Sequence, residues 1–158
     1  MPSRTVVGRI GRRGGQILVY SDSVLAKTVS DALLYTVRKR AEQETAMQEL
    51  TAIQDLDAAA AANGQSPFFL FKHSTRCSIS AAAHQRVTGY LDSAGEEHVP
   101  FYLIKVIEAR PVSKEIERRY RITHESPQLI LVKNGAAVWS ASHSSITAKA
   151  ITAALDAS

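Results

Sequence analysis

The sequence predicts an α/β fold: a four-stranded mixed sheet flanked by helices, with an N-terminal helical extension. From residue 66 onward, short apolar runs of strand length alternate with stretches of helical period, in the order β-α-β-α-β-β-α. A helical crossover joins the first two strands, which predicts that they are parallel. Asn134-Gly135 joins the last two strands, and this dipeptide is a strong hairpin signal that predicts antiparallel pairing.

The elements of the main domain follow from apolar periodicity and from the residues that start or stop each run. The first predicted elements are a helix carrying Met47, Leu50, Ile53 and Leu56 and ending at Asn63-Gly64, a strand at 67–73, and a helix with Ile79, Ala83, Val87 and Tyr90 on one face. The later ones are a strand at 101–107, a helix capped by Ser113, strands at 128–132 and 137–140, and a helix from Ser144 or Ser145. This order is the outline of the thioredoxin/glutaredoxin core, although other α/β folds share parts of it.

The first 45 residues differ from the rest of the chain in charge. The runs 6–10 and 16–20 flank a glycine-rich stretch and predict a hairpin, and residues 23–45 predict a helix. Residues 1–40 contain eight Lys and Arg against two Asp, whereas the remaining chain carries eleven basic and thirteen acidic residues. Charge clustered in a terminal segment is typical of a solvated face, so we expect no nucleic-acid binding.

Composition excludes several classes of protein. A hydrophobic content of 45% with 22% charged residues is ordinary for a globular domain. No apolar run approaches the roughly 18 residues of a membrane span, and residues 1–20 lack the apolar core of a secretory signal. The single cysteine excludes an internal disulfide, and the five scattered histidines show no metal-ligand spacing. We therefore expect a cytoplasmic protein without a metal site and without a membrane partner.

Cys77, the only cysteine, lies between a predicted buried strand and a predicted helix. At a helix N-terminus, free backbone N–H groups and the positive end of the dipole stabilise a thiolate, here next to the first-turn residues Ile79 and Ser80. Ser80 occupies the second cysteine position of a C-x-x-C spacing, so a mixed disulfide on Cys77 would need an external thiol for release. The alternative is a buried cysteine that acts as a small hydrophobe.

Ser126-Pro127 directly precedes the third predicted strand of the main domain. A proline that enters a central strand is unusual unless it fills a special turn, and in the thioredoxin fold a cis-proline at this place packs against the active-site cysteine. The alternative is a trans proline that simply starts the strand.

Four separated motifs together resemble the YtxJ-like monothiol bacilliredoxins, thioredoxin-fold proteins of bacteria that use the low-molecular-weight thiol bacillithiol. The motifs are FLFKHSTRCSISAAA, EARPVS, HESPQLILVKNG and VWSASHSSIT. The resemblance covers about residues 46–158, which it implies to be a thioredoxin-like domain. Family members usually show Thr-Cys-Pro-Ile, whereas here Arg76 precedes the cysteine and Ser78 replaces the proline.

The resemblance implies a thiol-disulfide oxidoreductase with Cys77 as the nucleophile and bacillithiol as co-substrate, without a metal or organic cofactor. Bacillithiolated client proteins, bacillithiol and a bacillithiol disulfide reductase are the expected partners. Ser126 and Pro127 would line the substrate groove. Because the malyl group of bacillithiol carries carboxylates, the charges of Lys72, His73 and Arg76 suggest that these residues bind it.

Two questions stay open from the sequence. Residues 1–45 lie outside the resemblance, so either translation starts at Met47 or the segment is a genuine extension that docks on the domain or on a partner. The function also has two rivals: a glutaredoxin-like [2Fe–2S] carrier, which would be coloured when purified without oxygen, and a non-catalytic thioredoxin-like binding module.

Overall fold

A computed structural model describes residues 9–13, 16–20, 47–94 and 98–158. The chain divides into two compact units, Met1–Glu42 and Gln43–Ser158.

In the first unit, β1 (Arg9–Arg13) and β2 (Gln16–Tyr20) form an antiparallel two-stranded sheet. The predicted hairpin is therefore confirmed, although its first strand lies at 9–13 instead of 6–10. The helix predicted over 23–45 lies outside the described residues.

The second unit is built around a five-stranded sheet with the spatial order β3-β5-β4-β6-β7. Its strands are β3 (Gln48–Glu49), β4 (Phe68–His73), β5 (Phe101–Lys105), β6 (Gln128–Lys133) and β7 (Ala136–Ser142). β5 is parallel to both β3 and β4, whereas β6 is antiparallel to β4 and to β7. The predicted parallel pair and the predicted antiparallel hairpin are both present.

Four helices flank this sheet, and from β4 onward the predicted order of elements is confirmed. They are α1 (Ile53–Asn63), α2 (Ser78–Ala94), α3 (Arg110–Tyr120) and α4 (Ala148–Asp156), and a short 3₁₀ helix (His143–Ser145) precedes α4. The β6–β7 turn places both Asn134 and Gly135 at positive φ, 52° and 73°, as the dipeptide predicts for a tight hairpin.

The prediction of four strands is wrong, because the segment around Met47 is extended and not helical. Its backbone pairs with β5 as the fifth strand, β3, and buries both Met47 and Leu50. The helix starts only after Ala52, where the Asp55 carboxylate accepts the N–H groups of Thr51 and Ala52 at 2.8 and 2.9 Å. A strand of two residues is too short to show a period, so two buried residues were assigned to the following helix.

Two apolar clusters, one on each face of the sheet, form the core. Successive residues of β4 alternate between them, as the pleat requires. The first cluster includes Phe68, Leu70, Leu56, Ile116, Ile130 and Val132, and packs β4 and β6 against α1 and α3. The second includes Phe69, Phe71, Val87, Leu129, Leu131 and Ile151, and packs the same strands against α2 and α4.

Two predictions about helix ends are wrong. Ser113 does not cap α3 but lies inside it, 4% exposed, because the helix already begins at Arg110 with Pro111 in its first turn. Ile79 does not lie on the buried face of α2 but is 55% exposed in its first turn, whereas Ser80, Ala83, Val87 and Leu91 form that face.

Candidate functional site

Cys77 caps the N-terminus of α2 at the end of the loop that follows β4. The Ala81 N–H donates to the Cys77 carbonyl at 2.9 Å, the first bond of the helix, and the Cys77 N–H donates to the Ser74 carbonyl at 3.3 Å. The residue is partly exposed. Its side chain therefore starts from the helix end where first-turn N–H groups have no helical acceptor and where the dipole favours negative charge.

Ser80 is fully buried in the first turn of α2 and holds the cysteine loop in place. Its hydroxyl oxygen accepts the Ser74 N–H at 2.9 Å and lies 2.8 Å from Nδ1 of His73. Ser80 therefore occupies the position of the second cysteine in a dithiol site. Its hydroxyl connects the cysteine loop to His73, the last residue of β4.

His73 and His84 form a half-buried pair beneath this loop, with ring centroids 5.1 Å apart. Burial lowers the pKa of both imidazoles below 6.5, and the pKa of His73 is lowered further by His84. The burial of both rings therefore disfavours their charged forms. This pair was not predicted from the sequence, although Ser80 and His84 are four residues apart and so share one face of α2.

The cysteine loop is also bound to the β5–α3 connection. The Thr75 hydroxyl donates to the Glu108 carboxylate at 2.8 Å, and the Val106 N–H donates to the His73 carbonyl at 2.9 Å. The Thr75 hydrogen bond is the main cause of a lowered Glu108 pKa, and the exposed Arg76 contributes in the same direction.

The Ser126–Pro127 peptide bond is cis, which confirms the conformation expected for this position. The Pro127 carbonyl accepts the His143 N–H at 3.1 Å. Arg86 of α2 donates in turn to the His143 carbonyl at 2.8 Å and to the Ile146 carbonyl at 2.6 Å. The proline segment is therefore connected to the helix that carries Cys77. The buried Ser126 hydroxyl has no hydrogen-bond partner among the described residues.

Lys72 is fully buried on β4, opposite Gln128 of β6, and its ammonium has no hydrogen-bond partner in the described part of the chain. Burial lowers its pKa to about 8, while the charges of Glu117 and Glu125 act in the opposite direction. Neighbouring strand residues point to opposite faces of a sheet, so Lys72 and His73 diverge. The three residues predicted to bind carboxylates are thus not gathered in one patch: Lys72 is buried, His73 contacts Ser80, and Arg76 is exposed.

Within the described ranges, no group of three or more His, Cys, Asp or Glu side chains is arranged to hold a metal ion. No helix in the same ranges is long and apolar enough to cross a membrane.

Comparison with known proteins agrees with this geometry. The fold is shared with solved structures that include the following three. A thioredoxin-fold protein is 25% identical with a TM-score of 0.63, and the match covers 72% of this chain and 96% of that one. Mitochondrial thioredoxin 3 from Saccharomyces cerevisiae is 16% identical, with a TM-score of 0.58 and coverage of 73% and 99%. The thioredoxin from Fasciola hepatica is 17% identical, with a TM-score of 0.53 and coverage of 70% and 95%.

The family described as "Monothiol bacilliredoxin BrxC" matches residues 48–151, well over half of the chain. This span contains the cysteine loop, the cis-proline segment and all five strands of the large sheet. Family and fold together support a thiol redox role. The chain belongs to the monothiol bacilliredoxin family.

Proposed function

We propose that this protein removes bacillithiol from mixed disulfides on client proteins, with Cys77 as the single nucleophile. The observation that carries the proposal is a single, partly exposed thiol at the N-terminus of α2, with a buried serine, Ser80, where a dithiol site would have its second cysteine. Because no second thiol is present in the chain, a disulfide formed on Cys77 can be resolved only by a thiol from outside.

The reaction consists of two disulfide exchanges. In the first, the Cys77 thiolate attacks the bacillithiol sulfur of the client's mixed disulfide, the client thiolate leaves, and a Cys77–bacillithiol disulfide forms. In the second, the thiolate of another bacillithiol attacks the bacillithiol sulfur on Cys77. The products are bacillithiol disulfide and the free Cys77 thiolate. Electrons balance because each step breaks one disulfide and forms another.

The other site residues bind and orient the reactants. The first-turn N–H groups of α2, including those of Ile79 and Ser80, favour negative charge on the attacking and leaving sulfur. Ser126 and Pro127 border the groove, where the Ser126 backbone pairs with the incoming thiol compound as an added strand would. We propose a cytoplasmic reaction with no metal or organic cofactor. A bacillithiol disulfide reductase would regenerate bacillithiol, and neither nucleic acid nor a membrane takes part.

Mass spectrometry of the protein mixed with a bacillithiolated client tests the proposal. Without free bacillithiol, the wild-type protein should gain the mass of one bacillithiol on Cys77 while the client loses it. Cys77→Ser should leave the client modified, and the conservative control Ser78→Ala, at the exposed next residue, should retain the transfer. Equal activity of Cys77→Ser, or a client that stays modified with wild-type protein, would contradict the proposal.

A further inference from the structure

A cavity of about 270 Å³ opens beside the β5–α3 connection, in the half of the sheet that α3 covers. Its walls are the β5–α3 connection, Arg110, Ser113, Lys114 and Glu117 of α3, and His124 from the segment before β6. The volume is slightly below the roughly 300–1,000 Å³ of pockets for drug-sized ligands, so it suits a small fragment better than a whole cofactor.

The lining carries more positive than negative charge. Arg110 and Lys114 are exposed and four residues apart, so they share one face of α3. They also lie in the first turns of that helix, where the dipole adds positive potential. Among the described lining residues, Glu117 is the carboxylate, and burial is the main cause that lowers the His124 pKa, which disfavours the charged form of that ring. The formal charge of the lining is thus positive despite Glu117.

Lys72 supplies a second and independent observation. Its ammonium is fully buried and has no hydrogen-bond acceptor among the described residues, which is an unfavourable state for a charge. Its electrostatic neighbours include two residues of the cavity lining: Glu117 raises the Lys72 pKa, and Lys72 lowers that of His124. Lys72 lies on the same side of β4 as Phe68 and Leu70, whose cluster packs against α3, so its side chain lies on the face of the sheet where the cavity opens. An anion bound in the cavity would add to the favourable charges of Glu117 and Glu125 on this ammonium.

The cavity adjoins the cysteine loop. Val106, which lines the cavity, donates its N–H to the carbonyl of His73, and Glu108 of the same connection accepts from Thr75. His124 is two residues from Ser126 on the other side. The cavity wall is thus continuous with the cysteine loop on one side and with the Ser126–Pro127 segment on the other, and the proposed reaction uses both.

We infer that this cavity is a carboxylate subsite in which Arg110 and Lys114, with Lys72 behind them, bind the malyl group of the bacillithiol co-substrate. The assignment to bacillithiol depends on the function proposed above, whereas carboxylate binding by the cavity does not. In this inference Arg110 and Lys114, which line the cavity, contact the carboxylates directly. The sequence had suggested Lys72, His73 and Arg76 for that role.

The test uses malate as the probe and amide chemical shifts of the ¹⁵N-labelled full chain as the readout. Malate should shift the amide signals of residues 106–110, 112–117 and 124; Pro111 has no amide proton. Arg110→Gln/Lys114→Gln should weaken binding about tenfold or more, which corresponds to at least about 1.4 kcal/mol for the loss of two solvent-exposed charge-assisted bonds. The matched control Lys133→Gln/Lys149→Gln removes the same charge from β6 and α4, outside the cavity lining, and should stay within about twofold of wild type.

A titration with bacillithiol then separates the inference from the proposed function. Shifts of the same signals, lost in Arg110→Gln/Lys114→Gln, support the subsite whatever the outcome of the Cys77 transfer assay. Absence of malate shifts in the wild type, or equal weakening in the control variant, would overturn carboxylate binding. Malate shifts without bacillithiol shifts would overturn the assignment to the co-substrate.

Discussion

Replacing Lys72 by methionine is expected to stabilise the protein at neutral pH. The Lys72 pKa falls from 10.5 to about 8 in the folded chain because the ammonium is buried. One pKa unit corresponds to about 1.4 kcal/mol, so the charged form lowers the free energy of unfolding by about 3 kcal/mol. Methionine keeps the length of the apolar stem without the charge, so Lys72→Met should recover most of this free energy.

The same reasoning predicts a dependence on pH with a defined sign. Between about 8 and 10.5, the unfolded chain binds a proton at Lys72 that the folded chain does not bind, so stability rises with pH in this window. The advantage of Lys72→Met should therefore shrink by about 2 kcal/mol between about pH 7 and pH 9.5. Urea unfolding followed by fluorescence of Trp139, the single tryptophan, measures both values.

Lys149→Met is the matched control, because Lys149 is exposed on α4. Its effect on stability should stay within about 0.5 kcal/mol at both pH values. The reasoning is refuted if the difference between Lys72→Met and wild type does not change with pH. It is also refuted if Lys72→Met destabilises the protein at neutral pH, since the buried ammonium would then contribute favourably.

Two further predictions concern the loop around the cysteine. Ser80→Ala should lower the free energy of unfolding by about 1–3 kcal/mol, because it leaves the Ser74 N–H and His73 without their buried partner. Ser78→Ala, at an exposed position, should change it by less than about 0.5 kcal/mol, and equal urea midpoints for the two variants would contradict the assignment. The imidazole proton signals of His73 and His84 should titrate below 6.5. Because the unfolded rings bind protons at higher pH than the folded ones, stability should decline as pH falls below about 6.5, and an ordinary titration of both rings would refute this.

The large elements were predictable because each carries a signal several residues long. The apolar run that forms β4 and the Asn134-Gly135 turn define their elements without help from the rest of the chain. β3 was not predictable, since its two residues become a strand only by pairing with β5. The start of α3 was predicted too late because two start signals lie close together. Ser113 is a residue type that often caps helices, and Pro111 is a residue type that often occupies the first turn; the helix begins at the proline.

The sequence was sufficient to predict which residues follow or precede the strands at the candidate site. It was not sufficient to predict the contacts that their side chains make. Cys77 and Pro127 follow from their places next to β4 and β6. The burial of Lys72 could not be predicted from the sequence. Phe68 to Phe71 form an uninterrupted apolar run, so no alternation of polar and apolar residues shows that both faces of β4 stay buried as far as Lys72. The His73–His84 contact depends on how α2 packs on β4, which a single sequence does not specify.

The connection through Arg86 has a consequence for how the site tolerates change. One guanidinium on α2 joins the carbonyls of His143 and Ile146, and His143 in turn binds the carbonyl of Pro127. A side chain nine positions beyond Cys77 therefore links the cysteine-bearing helix to the proline segment. A shorter side chain there would remove this link and leave every atom of the proposed disulfide exchange in place. In the proposed reaction, the position of the proline segment and the reactivity of the thiol would thus depend on different residues, which could change independently.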